Sequence, residues 1–100
     1  MDQYDVLLYP KAFLDIDEIY EYIVREVQEI TIAKNQTDRI WRAIWSLSTF
    51  PKSHQERLVG KYADRGYRQL LIDNYVAIFK VDESQKKVYV VAVQYQGRDK

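Results

Sequence analysis

Five side chains could act on a phosphate-bearing target: Lys61, Arg65, Arg68, Tyr95 and Arg98. They cluster at the two ends of the stretch Tyr67 to Arg98, in which three apolar runs are joined by Asp73-Asn74 and by Asp82 to Lys86. RNA can be cleaved without a metal through its own 2′-hydroxyl. That requires a base, a cation for the charge of the phosphorane-like state, and a proton for the leaving oxygen. Arginine and lysine can stabilise the charge, aromatic rings can stack a splayed base, and tyrosine can serve as acid or base. Without cleavage, Arg65, Arg68, Tyr95 and Arg98 could still form a target-binding surface. A cation such as Arg68 at a strand edge can also simply guard that edge against unwanted pairing. The cleavage reading requires the sheet to bring its two ends together.

Other reaction chemistries lack their residues. The sequence has no Gly-rich phosphate loop, no nucleophile elbow and no cysteine. The lone histidine, His54, cannot make a common metal site and reads as a loop residue. Asp15 and Glu18 fall on a helix exterior rather than in a cleft, which disfavours acid–base work. No metal, cofactor or small-molecule substrate is therefore expected.

The elements that must position the five residues follow from periodicity. Tyr4 to Tyr9 reads as a first strand stopped by Pro10, which suits the first turn of a helix. From Lys11 to about Gln28, apolar residues recur at Ala12, Ile16, Ile19, Tyr20, Ile23 and Val27, one face of a helix. A second helix is expected from Thr31 or Ile32 to Ser48, with Ala33, Thr37, Ile40, Ile44 and Leu47 as its stripe. Trp41 and Trp45 lie one turn apart on the flank of that stripe. They are expected in the core against the first helix, an exposed docking surface being the other reading. Phe50-Pro51 ends the helix, because the residue before proline is steered away from helical angles. A polar loop from Lys52 to Gly66 follows, then three strands. Asp73-Asn74 fits a two-residue turn and Asp82 to Lys86 a longer hairpin loop. Val88 to Tyr95, apolar at nearly every position, reads as a central strand covered on both faces, with the first strand beside it. The expected fold is α+β, order β-α-α-β-β-β, with a helical hairpin on one face of a small, mostly antiparallel four-stranded sheet.

The 100 residues suit one domain spanning 1–100. Net charge is zero, but residues 1–60 carry −3 and residues 61–100 carry +3. That polarity allows a local patch, yet is too weak for strong non-specific nucleic-acid binding. The absence of cysteine is compatible with a reducing cytoplasm. The opening MDQYDVLLYP lacks the basic segment of a signal peptide. No apolar run approaches the roughly 20 residues of a membrane span, so a cytoplasmic protein with no membrane partner is expected.

The sequence resembles the RelE/ParE superfamily of bacterial type II toxins along nearly its whole length. The likeness rests on Tyr4, Val6 and Pro10, then Leu14-Asp15-Ile16-Asp17-Glu18-Ile19 and Tyr22-Ile23, then Ser46-Leu47 and Phe50-Pro51. Most specific are Tyr67-Arg68-Gln69-Leu70, Asn74-Tyr75, Ile78-Phe79-Lys80-Val81-Asp82, and the ending Val93 to Asp99 with Gly97-Arg98-Asp99. The resemblance implies a toxin silenced by a cognate antitoxin. RelE-like members cut messenger RNA in the ribosomal decoding site, whereas ParE-like members poison DNA gyrase. RelE-like nucleases carry an arginine after the third-strand tyrosine, where this chain has Val76. They place a basic or histidine residue near the end of the last strand, where this chain has Gln96, and a nearby tyrosine where it has Gly97. Arg68 matches a basic position shared across the superfamily, and Tyr95 stands close to the missing tyrosine. The ParE-like, non-nuclease branch is therefore expected; a metal-independent endoribonuclease and an inactive binding relative are the alternatives. All three share one expectation: a groove between helix and sheet that accepts a partner segment as a helix or an added strand.

Overall fold

The structure, a computed structural model, describes residues 3–96. Strand β1 (Asp5–Leu8) leads into α1 (Pro10–Val27) and α2 (Ile30–Trp45), and the sheet is completed by β2 (Arg68–Ile72), β3 (Tyr75–Asp82) and β4 (Lys87–Tyr95). The sheet order is β1-β4-β3-β2, with β1 parallel to β4 and the other pairs antiparallel. Both helices lie on one sheet face, as expected from their stripes. Pro10 occupies the start of α1, and Gln28 closes it in the left-handed region (φ 59°), its N–H returning to Val24 O. The second helix ends three residues early, its last turn tightening into a 3-10 segment, Ser46–Ser48.

The core between helices and sheet is built from Ala12, Ile16, Ile19 and Ile23 of α1 and Ala33, Ile40 and Ile44 of α2. Leu70, Ile72, Ala77, Phe79, Val88, Val90 and Val93 meet them from the sheet. The alanines let the two helices and the sheet approach closely, and Phe79 is the largest fully buried side chain. Two sequence expectations fail here. Val27, the last residue of α1, is exposed. Trp41 is only half-buried and Trp45 is 49% exposed; they stack on each other (5.8 Å), and Phe13 packs against Trp41 (5.5 Å). These rings flank the core stripe and form a surface cluster, because Ile40 and Ile44 already fill the inward positions.

Strand β4 is central and carries a β-bulge. Val90 pairs with Phe79 and Ala92 with Ile78, leaving Val91 as the extra residue. Two residues of a bulge share one face. Val90 and Val93 accordingly both reach the helix-side core, while Val91 and Ala92 join Ile78 on the opposite face, where Tyr62 and Tyr67 pack. The near-continuous apolar run is covered on both faces, as its sequence predicts; on the second face the cover comes from Tyr62 of the loop expected to be polar and from Tyr67 just after it.

Loop chemistry ties the elements together. Asp73 adopts a positive φ of 56° in the β2–β3 turn, and its carboxylate accepts from Gln36 (3.0 Å) and Arg39 (2.6 Å) of α2. Phe50 is also left-handed (φ 52°) rather than extended. Proline disfavours the right-handed helical region at the preceding residue, which the left-handed conformation also avoids. At the β3–β4 hairpin, Glu83 accepts the Tyr4 hydroxyl (2.7 Å) and pairs with Lys52 (3.3 Å) and Lys86 (3.2 Å). The Tyr4 hydrogen bond, followed by that from Lys86, holds the Glu83 carboxyl down at about 2, against an ordinary value of 4.5. The same bond pushes the Tyr4 phenol up. A carboxylate with a depressed folded pKa contributes stability above its unfolded value and loses it as pH falls through the folded one. Glu83→Gln is thus expected to lower Tm slightly at neutral pH, since the group is solvent-screened, with the gap closing between about pH 4.5 and pH 2. A gap that stays constant over that range would show that the ion network contributes nothing. No helix among the described residues is long and apolar enough to cross a membrane.

Candidate functional site

The structure places four of the five sequence-predicted residues, in two locations. Lys61 and Arg65 stand exposed in the turn that leads into β2. Arg68 starts β2, paired with Phe79, which in turn pairs with Val90. Tyr95 is at the far end of β4, opposite Tyr75. Five residues of strand and two strand spacings separate Tyr95 from Arg68, which places their backbones more than about 15 Å apart. Arg98 lies outside the described residues. The sheet does not bring Arg68 and Tyr95 together, because they lie at opposite ends of one ladder.

At the first location, the segment after α2 returns alongside β2. Gln69 N–H donates to Gln55 O (2.9 Å) and Arg57 N–H to Tyr67 O (2.8 Å), with Glu56 bridged to Arg68. This covers the edge of β2 that the sequence left open. Arg68 is correspondingly engaged: its Nη1 donates to the His54 carbonyl (2.7 Å). Burial, and then the nearby Arg68 charge, hold the His54 imidazole below its ordinary value of 6.5. The His54 ring meets Phe79 edge-on at 5.9 Å. Arg57, which no sequence pattern singles out, is buried, with Nη1 bonded to Gln69 Oε1 at 3.0 Å. Arg57 and Arg68 act as fasteners for this edge.

The free cations lie on the face opposite the helices. Tyr62 and Tyr67 meet in an edge-to-face contact (5.0 Å, 70°); Lys61 Nζ lies 5.8 Å from the Tyr62 ring centre and Lys80 Nζ 5.2 Å from that of Tyr67. Gly66, at φ 84°, turns the chain back against Lys80. Lys61 and Lys80 with the two tyrosines thus make a basic, aromatic surface, and Arg65 is exposed in the turn just before Tyr67. This surface could hold an acidic or aromatic feature of a partner by charge and cation–π attraction. Lys80 is legible in the sequence as the one cation in the apolar run of β3.

At the second location, Tyr95 is 48% exposed and packs on Tyr75 (5.7 Å, 73°). Both line a groove of about 480 Å³ between α1 and the end of β4, with Lys11, Asp15, Glu18 and Tyr22 on the helix side; Asp15 and Glu18, expected on a plain helix exterior, thus face a cleft, because the end of β4 runs alongside this face of α1. Among the described residues no cluster of His, Asp or Glu is placed to hold a metal ion.

A family model described as "ParE toxin of type II toxin-antitoxin system, parDE" matches residues 6–100. No curated protein sequence matches significantly. Among solved structures, the chain is similar to one described as the chromosomal ParDE system of P. aeruginosa. That match has a TM-score of 0.77 at 18% identity, covering 95% of this chain and 98% of that one. It is also similar to a chain of the RelBE2 toxin–antitoxin complex of Mycobacterium tuberculosis. There the TM-score is 0.63 at 19% identity, with 95% and 93% covered. At such identities the likeness is one of fold.

Proposed function

The chain belongs to the ParE toxin family of type II toxin–antitoxin systems, and from that premise we propose that it arrests growth by binding a protein target, DNA gyrase, in the cytoplasm. A cognate antitoxin holds it silent. The observation that carries binding over cleavage is the separation of Tyr95 from the cations of the loop and β2. Metal-free RNA cleavage needs its acid–base and charge-stabilising groups around one phosphate, and here they occupy opposite strand ends. Val76, at the position where RelE-like nucleases carry an arginine, is fully buried. Contact with the target falls to Lys61, Arg65, Lys80 and the paired tyrosines, while Arg68 shapes the edge behind them.

Purified chain added to gyrase and relaxed plasmid is expected to suppress supercoiling in a dose-dependent manner and to leave ribosome-bound mRNA intact. Normal supercoiling at saturating protein would remove the gyrase reading. Codon-positioned cuts in the mRNA would instead support the endoribonuclease alternative, and neither effect, with folding verified, an inactive binding relative.

A further inference from the structure

The outer side of the helical hairpin carries rings that the core does not use. On α2, Asp38, Trp41, Arg42 and Trp45 follow the spacing of a single helical face. Phe13 of α1 joins them through its contact with Trp41, which stacks in turn on Trp45, and Asp17 follows Phe13 by one turn. Phe13 and Trp45 are half-exposed. Asp17, Asp38 and Arg42 border the rings in the open, and among the described residues no ion pair or hydrogen bond engages their side chains.

A face that pairs with its own copy must be self-complementary, because every contact is made twice. This one meets that condition. Its centre is apolar, and its rim holds a base beside acids. A two-fold axis that crosses α2 on α2 in antiparallel fashion near Trp41 would set Arg42 of each copy beside Asp38 of the other, and over the other's Trp41 ring. A strongly charged partner finds no opposing field here, whereas two chains of zero net charge approach without mutual repulsion. We propose that this hairpin face is a self-association surface, on which two copies of the chain form a reversible two-fold dimer. Its strength is limited by area. With roughly 100 Å² open on each partly buried ring, the three rings offer about 300 Å² per copy, against roughly 800 Å² per partner in a standard stable interface. Lys61, Lys80 and the paired tyrosines lie on the sheet face opposite the hairpin, so both copies keep that surface open. The pairing is independent of which target the toxin takes.

The test is sedimentation velocity on the full chain, freed from antitoxin and refolded, with folding checked by circular dichroism. Half-dimerisation is expected at about 10–100 μM, as suits a small interface. Trp45→Ala should weaken association at least about tenfold, as for loss of a central aromatic anchor. Arg42→Asp and Asp38→Arg each set like charges across the axis and should each weaken it at least about tenfold. An equimolar mixture of these two variants should recover wild-type association to within about threefold, because the exchanged charges then meet. Both charge changes fall on exposed positions, so the pair decides the matter even if Trp45→Ala does not fold. A wild type that stays monomeric well above the expected range overturns the proposal. Dimers untouched by all three substitutions place self-association elsewhere and overturn it as well, and a mixture that fails to recover overturns the two-fold pairing. A monomeric wild type whose Trp45→Ala form no longer inhibits gyrase, or no longer binds antitoxin, gives the face to that partner instead.

Discussion

Phe79→Ala is expected to lower the unfolding free energy by about 3–5 kcal/mol, read as a fall in urea midpoint with unchanged m. The site leaves little room for relaxation. Phe79 is fully buried, pairs across β3 with both Arg68 and Val90, and sits beside the register shift that sets the facing of β4. It also receives the edge of His54, so the cavity would open beneath the segment that covers β2. Domains of this kind are stable by only about 5–15 kcal/mol, so the variant should be close to unfolding and should lose toxicity through loss of fold. Leu71→Ala, at a position on the same sheet that is 54% exposed, serves as the comparison and should change stability by less than about 0.5–1 kcal/mol. Equal effects at the two positions would contradict the assigned core.

The second large effect is functional. The combined Lys61→Ala, Arg65→Ala, Lys80→Ala variant is expected to need at least about 30-fold more protein to suppress gyrase supercoiling, the loss typical of removing a contact worth about 2 kcal/mol at an interface centre. Its fold should persist, since the two exposed cation–π contacts it removes are each worth only about 0.5–1 kcal/mol. Antitoxin binding at the α1 groove should also persist, because the groove is lined by none of the three. Wild-type inhibition by this variant would move the target surface away from the tyrosine pair. Loss of antitoxin binding with it would mean that both partners use one surface.

The parts of this molecule that repeat were legible in the sequence. Helix stripes at Ala12-Ile16-Ile19-Ile23 and Ala33-Thr37-Ile40-Ile44 place themselves, and Asp73-Asn74 announces its turn. The position of β1 beside β4 also followed, since an apolar run needs neighbours on both sides. What escaped depends on a single residue or on a distant partner. The bulge at Val91 is one extra residue in an unbroken apolar run, and nothing local marks it. Trp41 and Trp45 look like core by composition, but they flank a stripe already filled. Arg57 is buried only because an irregular loop returns to β2, a contact that no periodicity encodes. The distance between Arg68 and Tyr95 is of the same kind: nearness to the two ends of one sequence stretch does not encode proximity across the sheet.

The parallel pairing of the first strand with the last also has a consequence for synthesis. Asp5 finds its neighbour only when Lys87 has been made, so the two helices have no finished sheet to rest on until the end of translation. Contacts this distant along the chain close slowly. A nascent or prematurely terminated chain that stops before β4 lacks the wall that β1 and β3 share, along with the groove edge at Val93. Partial translation products of this toxin should therefore be insoluble rather than poisonous, and harm to the cell should begin only with a completed fourth strand.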